Sequence, residues 1–335
     1  MSKNAVPSYE SQFFLRSDPA GAPPAMYGVS GIRDWSASYS VPETTINALG
    51  VGFVRSVYGG PLQGQLSLTR DLILNKDPVL TYTGEGSFSG TLIYDTNLGN
   101  GDEKVFGFNS GYLTNYSVDC GVGGVPTVDS SFVTFGRFGS GIRHGDLDYS
   151  GSSPLAGSMG TRARPVPNQG SIWCGFGQSG TNRVTQVSQN YEIDREPIYD
   201  LSQKTASDLT GGAGFVPAEV ITNYPIEVTT NMTVEVDDYE TANIMDTIRS
   251  GHHETISLTM YQSSLSVEPL VGPNEAGGTK ELLDDDSISL DDNGYKTVYR
   301  FNSVTGQLVS QSVKTSIDGT LSVDLEFKDY LNRNL

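Results

Sequence analysis

Residues 105–136 read VFGFNSGYLTNYSVDCGVGGVPTVDSSFVTFG, and residues 298–329 read VYRFNSVTGQLVSQSVKTSIDGTLSVDLEFKD. The second stretch repeats the first in order and nearly in spacing. Phe108, Asn109 and Ser110 fall on Phe301, Asn302 and Ser303. After two added residues, Leu113, Ser117, Val118, Gly124, Val128, Asp129 and Phe132 fall at one offset on Leu308, Ser312, Val313, Gly319, Val323, Asp324 and Phe327. Both stretches alternate apolar and polar residues, the period of a half-buried strand. In the second, Leu321, Val323, Leu325 and Phe327 share one face. Asp318-Gly319 and Gly123-Gly124 supply the turns, so the last two strands of each copy are expected to form an antiparallel hairpin.

The repetition extends upstream. Ser36, Tyr39, Val41, Ile46 and Leu49 fall on Ser188, Tyr191, Ile193, Ile198 and Leu201. Leu66, Leu68 and Asp71 align with Met232, Val234 and Asp237, and Leu92-Ile93-Tyr94 with Thr259-Met260-Tyr261. A repeat this long is a domain rather than a solenoid unit. The sequence therefore predicts two tandem copies, over 29–136 and 181–335, each a small antiparallel β-sandwich or partial barrel with a short flanking helix. Residues 1–28 read as an extended N-terminal arm, with Phe13, Phe14 and Leu15 as groups that dock it on a neighbour. Residues 137–180, rich in Gly, Ser, Pro and Arg, read as a surface linker.

The strands expected in the first copy cover 35–41, 65–68, 89–94, 113–118 and 128–135. Those in the second cover 191–193, 226–236, 255–261, 298–301, 308–313 and 320–327. One helix is expected over 238–249. Asp237 and Glu240 start it like a capping box, Thr241, Ile244, Met245 and Ile248 keep helical spacing, and Gly251 stops it. The matching place in the first copy, 71–80, is cut short by Pro78.

Composition agrees with a β-rich chain. Of 335 residues 36% are hydrophobic, and the 39 glycines and 16 prolines serve many turns. Net charge is −18; residues 1–180 hold 11 Lys+Arg against 14 Asp+Glu, and residues 181–335 hold 10 against 25. Such a chain repels nucleic acid rather than neutralising its phosphates. Cys120 and Cys174 have no counterparts in the other copy, so they form no disulfide framework and fit a reducing compartment. The first 28 residues lack the apolar core of a signal peptide, and no apolar run reaches the ~18 residues of a membrane span. A soluble protein made in a cytoplasm is expected.

Catalytic patterns are missing. There is no G-x-S-x-G elbow, no phosphate-binding loop and no dinucleotide-binding glycine motif. His144, His252 and His253 have no Cys-x-x-Cys or spaced histidine partner, so no metal and no cofactor is expected. Asp284, Asp285 and Asp286 begin like a calcium loop, but the fifth position, which should continue it, holds Ile288. Acids abound without any pair standing out for glycoside hydrolysis. Tyr112, Tyr116 and Trp173 suit packing better than sugar stacking.

An insertion in the second copy, about 262–298, has no equivalent in the first. It carries Glu268, Glu281, Asp284, Asp285, Asp286, Asp291 and Asp292, candidate acids for a lumen or a ring contact. It also carries Leu282, Leu283, Ile288 and Leu290, candidate apolar groups for touching a partner.

With the repeated segments 35–49 and 190–201, the helix 238–249 and the closing hairpins 113–132 and 308–327, the chain resembles the tail tube proteins of long-tailed bacteriophages. The resemblance covers most of the chain except the arm and the linker. It implies a structural virion protein and not an enzyme. Six tube domains would form a ring, so three two-domain chains would make a pseudo-hexamer, and stacked rings would conduct DNA without binding it. The acidic balance would partly line the channel, and the insertion and the arm would reach neighbouring rings. Other tail proteins would be partners: tape measure, terminator and baseplate. Assembly would take place in the host cytoplasm, and the protein would reside in the virion tail. Two alternatives stand beside it. One is another ring-forming tail component, such as a baseplate hub, distal tail or connector protein. The other is a two-domain carbohydrate-binding module, for which the missing signal peptide is unfavourable.

Overall fold

A computed structural model describes residues 12–17, 25–29, 31–40, 45–48, 51–55, 63–72, 79, 88–95, 104–136, 138–140, 172–176, 179–199, 217–236, 253–263, 295–315 and 321–331. Within them the chain is mainly β, and every pairing is antiparallel. The first strands are β1 (Gln12–Ser17), β2 (Ala25–Val29), β3 (Ile32–Ser40), β4 (Thr45–Ala48), β5 (Val51–Arg55), β6 (Gln63–Asp71), β7 (Phe88–Asp95), β8 (Lys104–Gly121), β9 (Thr127–Thr134) and β10 (Phe138–Ser140). Then follow β11 (Ile172–Phe176), β12 (Ser179–Thr181), β13 (Val184–Glu192), β14 (Arg195–Ile198), β15 (Glu219–Thr222), β16 (Ile226–Val236), β17 (His253–Ser263), β18 (Tyr295–Lys314) and β19 (Leu321–Leu331).

The strand order in the first half is β3-β6-β9-β8-β7-β1-β2, and in the second β13-β16-β19-β18-β17-β11-β12. Each half also carries a separate two-stranded hairpin, β4–β5 or β14–β15, after its first long strand. The registers correspond as well. In β8–β9, Leu113 lies opposite Phe132 and Val118 opposite Val128; in β18–β19, Leu308 lies opposite Phe327 and Val313 opposite Val323. The β-bulges coincide, at Leu113/Asn115 and at Leu308/Ser310. They coincide again at Ile32/Asp34 in β3 and Val184/Gln186 in β13. Thr69 Oγ1 donates to Asp129 at 2.5 Å, and Thr233 Oγ1 donates to Asp324 at 2.8 Å, from corresponding positions.

Two upstream alignments need correction. Phe132 faces Leu66 while Phe327 faces Thr230, so Leu66 corresponds to Thr230 and Leu68 to Met232. A slip of two residues keeps every side chain on its own face, so alternation alone cannot detect it. Leu92 faces Phe106 while Met260 faces Tyr299, so Leu92 corresponds to Met260, one residue from the expected match. Bulges at Ile93/Asp95 and Met260/Tyr261 break the phase there and let the shared tyrosine mislead the alignment.

The described parts of the expected arm, 12–17 and 25–28, pair within the chain instead of leaving the domain. Its β1 pairs with β7, and Phe13 is 1% exposed with its ring 6.3 Å from that of Phe108. Phe14 and Leu15 lie on the same strand, opposite Thr91 and Gly90. Gly90 makes room for this packing, because a Cβ there would overlap Cε1 and Cζ of Phe108. The expected linker likewise supplies strands at both ends. Phe138 of β10 meets Phe106 edge to face at 4.9 Å, and β11 pairs with β17, burying Ile172 and Cys174. So β11–β12 takes the same place against β17 that β1–β2 takes against β7. The helix expected over 238–249 lies outside the described residues, as do most of 71–80 and all of 264–294.

One buried cluster runs through both halves, from Phe13, Leu66 and Leu113 to Met260, Leu308 and Phe327. Each fully buried large aliphatic side chain contributes about 1.5–3 kcal/mol relative to exposure. Cys120 of β8 donates to Met260 Sδ of β17 at 3.1 Å, so the cluster is continuous from one half into the other.

Candidate assembly interface

β8 and β13 join the halves. Seven residue pairs run from Gln186–Gly121 to Glu192–Asn115. Backbone hydrogen bonds Val122 N to Thr185 O and Ile193 N to Thr114 O, both 2.9 Å, flank the seam. They make Val187, Gln189 and Tyr191 members of hydrogen-bonded pairs, and leave Ser188–Asp119 and Asn190–Ser117 as the closer, non-hydrogen-bonded ones.

The inner face of the seam is buried. Tyr116 and Tyr191 meet edge to face. The Tyr191 hydroxyl donates to Gln189 Oε1 at 3.2 Å, and Gln189 Nε2 donates to Thr230 Oγ1 at 3.2 Å. The outer face is polar: Asn115 Nδ2 donates to Asn190 Oδ1 at 3.0 Å. Beyond the seam, Arg195 of β14 donates from Nε to Leu113 O at 3.0 Å and from Nη1 to Thr222 Oγ1. Its guanidinium sits 5.7 Å from the centre of the Tyr112 ring. Buried polar groups with specific partners fix one register, because a slip would strand each of them without a partner.

The strand corresponding to β13 in the first half is β3, and β3 pairs only with β6 among the described residues. The stretch of β18 corresponding to the seam part of β8 pairs, among the described residues, only with β19. Exposure marks the difference. Tyr191 is 6% exposed, while Tyr39 at its place in β3 is 64% exposed; Val118 is 2% exposed, while Val313 at its place in β18 is 58% exposed. Each end of the two-unit sheet thus presents a strand edge whose internal counterpart is covered. Exposed edges with apolar side chains template further pairing.

Sequence reading alone did not single out these edge residues. The sequence-derived contact residues Leu282, Leu283, Ile288 and Leu290, and the acids Glu268, Glu281, Asp284, Asp285, Asp286, Asp291 and Asp292, all lie outside the described residues. Of the candidate arm, Phe13 sits in its own chain's core instead of on a neighbour.

A concavity of about 420 Å³ beside the seam is lined by Gln65, Ser131, Asp194 and Arg195 among others. Its described lining holds one carboxylate, where glycoside hydrolysis uses two. Among the described residues no cluster of three His, Cys, Asp or Glu side chains could hold a metal, and no helix is long and apolar enough to cross a membrane. Burial pushes the Cys120 thiol up to about 12, aided by nearby Asp119, and raises Cys174 as well. Neither sulfur is a nucleophile at neutral pH. No protein-family model and no curated protein matches the chain.

Proposed function

We propose that this chain is a structural virion protein, a tail tube subunit of a long-tailed bacteriophage built as a tandem duplication of one β-domain. The observation that carries this reading is that β3 and the end of β18 each have a strand edge with no partner among the described residues, while their counterparts β13 and β8 pair with each other. A chain of that construction adds copies head to tail, and head-to-tail contacts give a ring where the rotation closes. Closure also removes the edges that would otherwise invite uncontrolled pairing. The matching registers and bulges of the halves support duplication. They also support equal roles for the halves in a pseudo-hexameric ring of three chains. The acidic balance suits a channel through which DNA passes without sticking. The resemblance further implies a helix over 238–249 beside the second domain and an acidic insertion that bridges rings. Residues 262–263 and 295–298 at the ends of the expected insertion belong to the β17–β18 ladder, so the inserted stretch lies within 264–294.

Negative-stain electron microscopy of the purified chain over a concentration series tests the reading. Rings or hollow tubes with three-fold or pseudo-six-fold end views are expected. A chain that stays dispersed at every concentration and binds glycans in an array would overturn it in favour of a carbohydrate-binding module. A single ring that never stacks would favour a hub, distal tail or connector component.

A further inference from the structure

We propose that successive copies join β3 of one chain antiparallel to β18 of the next, in the register of the internal β13–β8 seam. The inference rests on the assembly reading above only in requiring that copies associate. The register comes from the fold. Carrying Val187–Cys120 through Glu192–Asn115 over to their counterparts puts Trp35 opposite Thr315, Ser36 opposite Lys314, Ala37 opposite Val313, Ser38 opposite Ser312, Tyr39 opposite Gln311 and Ser40 opposite Ser310.

The side chains suit this pairing. Ala37 and Tyr39 would cover Val313 on the face where the internal seam buries Val187, Tyr191 and Val118. Ser36, Ser38 and Ser40 meet Lys314, Ser312 and Ser310 on the outer face, where the internal seam is polar. Asp34 stands diagonal to Lys314, an opposite-charge neighbour within reach across an antiparallel pair. The bulge at Ile32/Asp34 on the β6 side of β3 matches the bulge at Val184/Gln186 on the β16 side of β13, so the two strands have the same local irregularity. Because the two edges differ, the joint is directional, and a copy bound at β3 leaves its own β3 open for another.

The parity of the internal seam makes Ser38–Ser312 a non-hydrogen-bonded pair, with Cα atoms expected about 4.5 Å apart. That distance falls inside the range a disulfide bridges. Both serines are exposed in the single chain, so the variants are expected to fold, which circular dichroism checks. S38C and S312C chains are mixed, oxidised mildly, and resolved by non-reducing electrophoresis with peptide mass spectrometry. The expected result is a dimer linked between positions 38 and 312 from the mixture, none from either variant alone, and at least tenfold less product when S310C replaces S312C. Homotypic dimers from one variant, or equal linkage with S310C, overturn the register. Rings seen by microscopy without the linkage overturn the seam and leave the ring reading standing. Linked pairs that grow only into open fibres sustain the seam and sink the conduit. A chain that neither links nor associates overturns both.

Discussion

The rings of Tyr116 and Tyr191 meet edge to face across the seam between the halves, centroids 5.7 Å apart and planes at 78°. They belong to different halves, so the seam is held by packing as well as by backbone pairing. Tyr116→Ala empties a fully buried site and is expected to cost about 3–5 kcal/mol. Tyr191→Phe keeps the ring and loses the hydroxyl's bond to Gln189, for about 1 kcal/mol. Denaturant unfolding measures both. The two tryptophans of the chain, Trp35 and Trp173, report on different halves. Their single-tryptophan variants should unfold at the same midpoint, because one core spans both halves.

Val118 and Val313 hold corresponding places in β8 and β18 but differ in cover. Val118→Ala should destabilise the isolated chain by ~2 kcal/mol through lost burial and a residual cavity. Val313→Ala should change it by no more than ~0.5 kcal/mol. In sedimentation runs, however, the Val313 variant should associate more weakly than the parent. Equal stability losses for the two variants would remove the distinction.

Both thiols should resist modification in the native chain at pH 8, since burial holds Cys120 and Cys174 protonated. Titration with a chromogenic disulfide reagent should count none in buffer and two in denaturant. Rapid labelling of either in buffer would mean that the core around β8 or β11 opens readily.

Asp324 accepts from Lys314 and from Thr233, and these bonds, Lys314's first, hold its carboxyl below the ordinary carboxylate value. A lowered folded value favours the ionised form. Its contribution to stability is therefore present above the unfolded value near 3.8 and is lost as pH falls through the folded value. Nuclear magnetic resonance titration should find Asp324 ionising below pH 3.8, and Lys314→Met should move it upward. An unchanged titration in the variant would show that Lys314 does not hold the charge.

Deleting 271–290 removes residues that have no counterpart in the first half. Both halves should keep their fold by circular dichroism, and rings should form but fail to stack. Normal tubes from the deletion would assign stacking to another segment.

Alternation over 321–327 predicts β19, and identities such as Leu113 with Leu308 reveal the repeated closing hairpins, because an inside–outside pattern is written in residue type. The hairpins β1–β2 and β11–β12 leave no such trace although they occupy equivalent places. Phe13 and Ile172 share a pairing position, not a sequence pattern. Expected breaks at 302–307 vanish because β18 runs unbroken from Tyr295 to Lys314, past two residues added between Ser303 and Gly306.

Sequence by itself determined the β character, the repeated hairpins and the acidic second half, since each depends on residue identity at short range. Tertiary structure decided which edges are covered. Tyr39 and Tyr191 are the same residue in matched strands, yet one is exposed and the other buried. The difference is the presence of β8 alongside β13, a long-range pairing that no local pattern encodes.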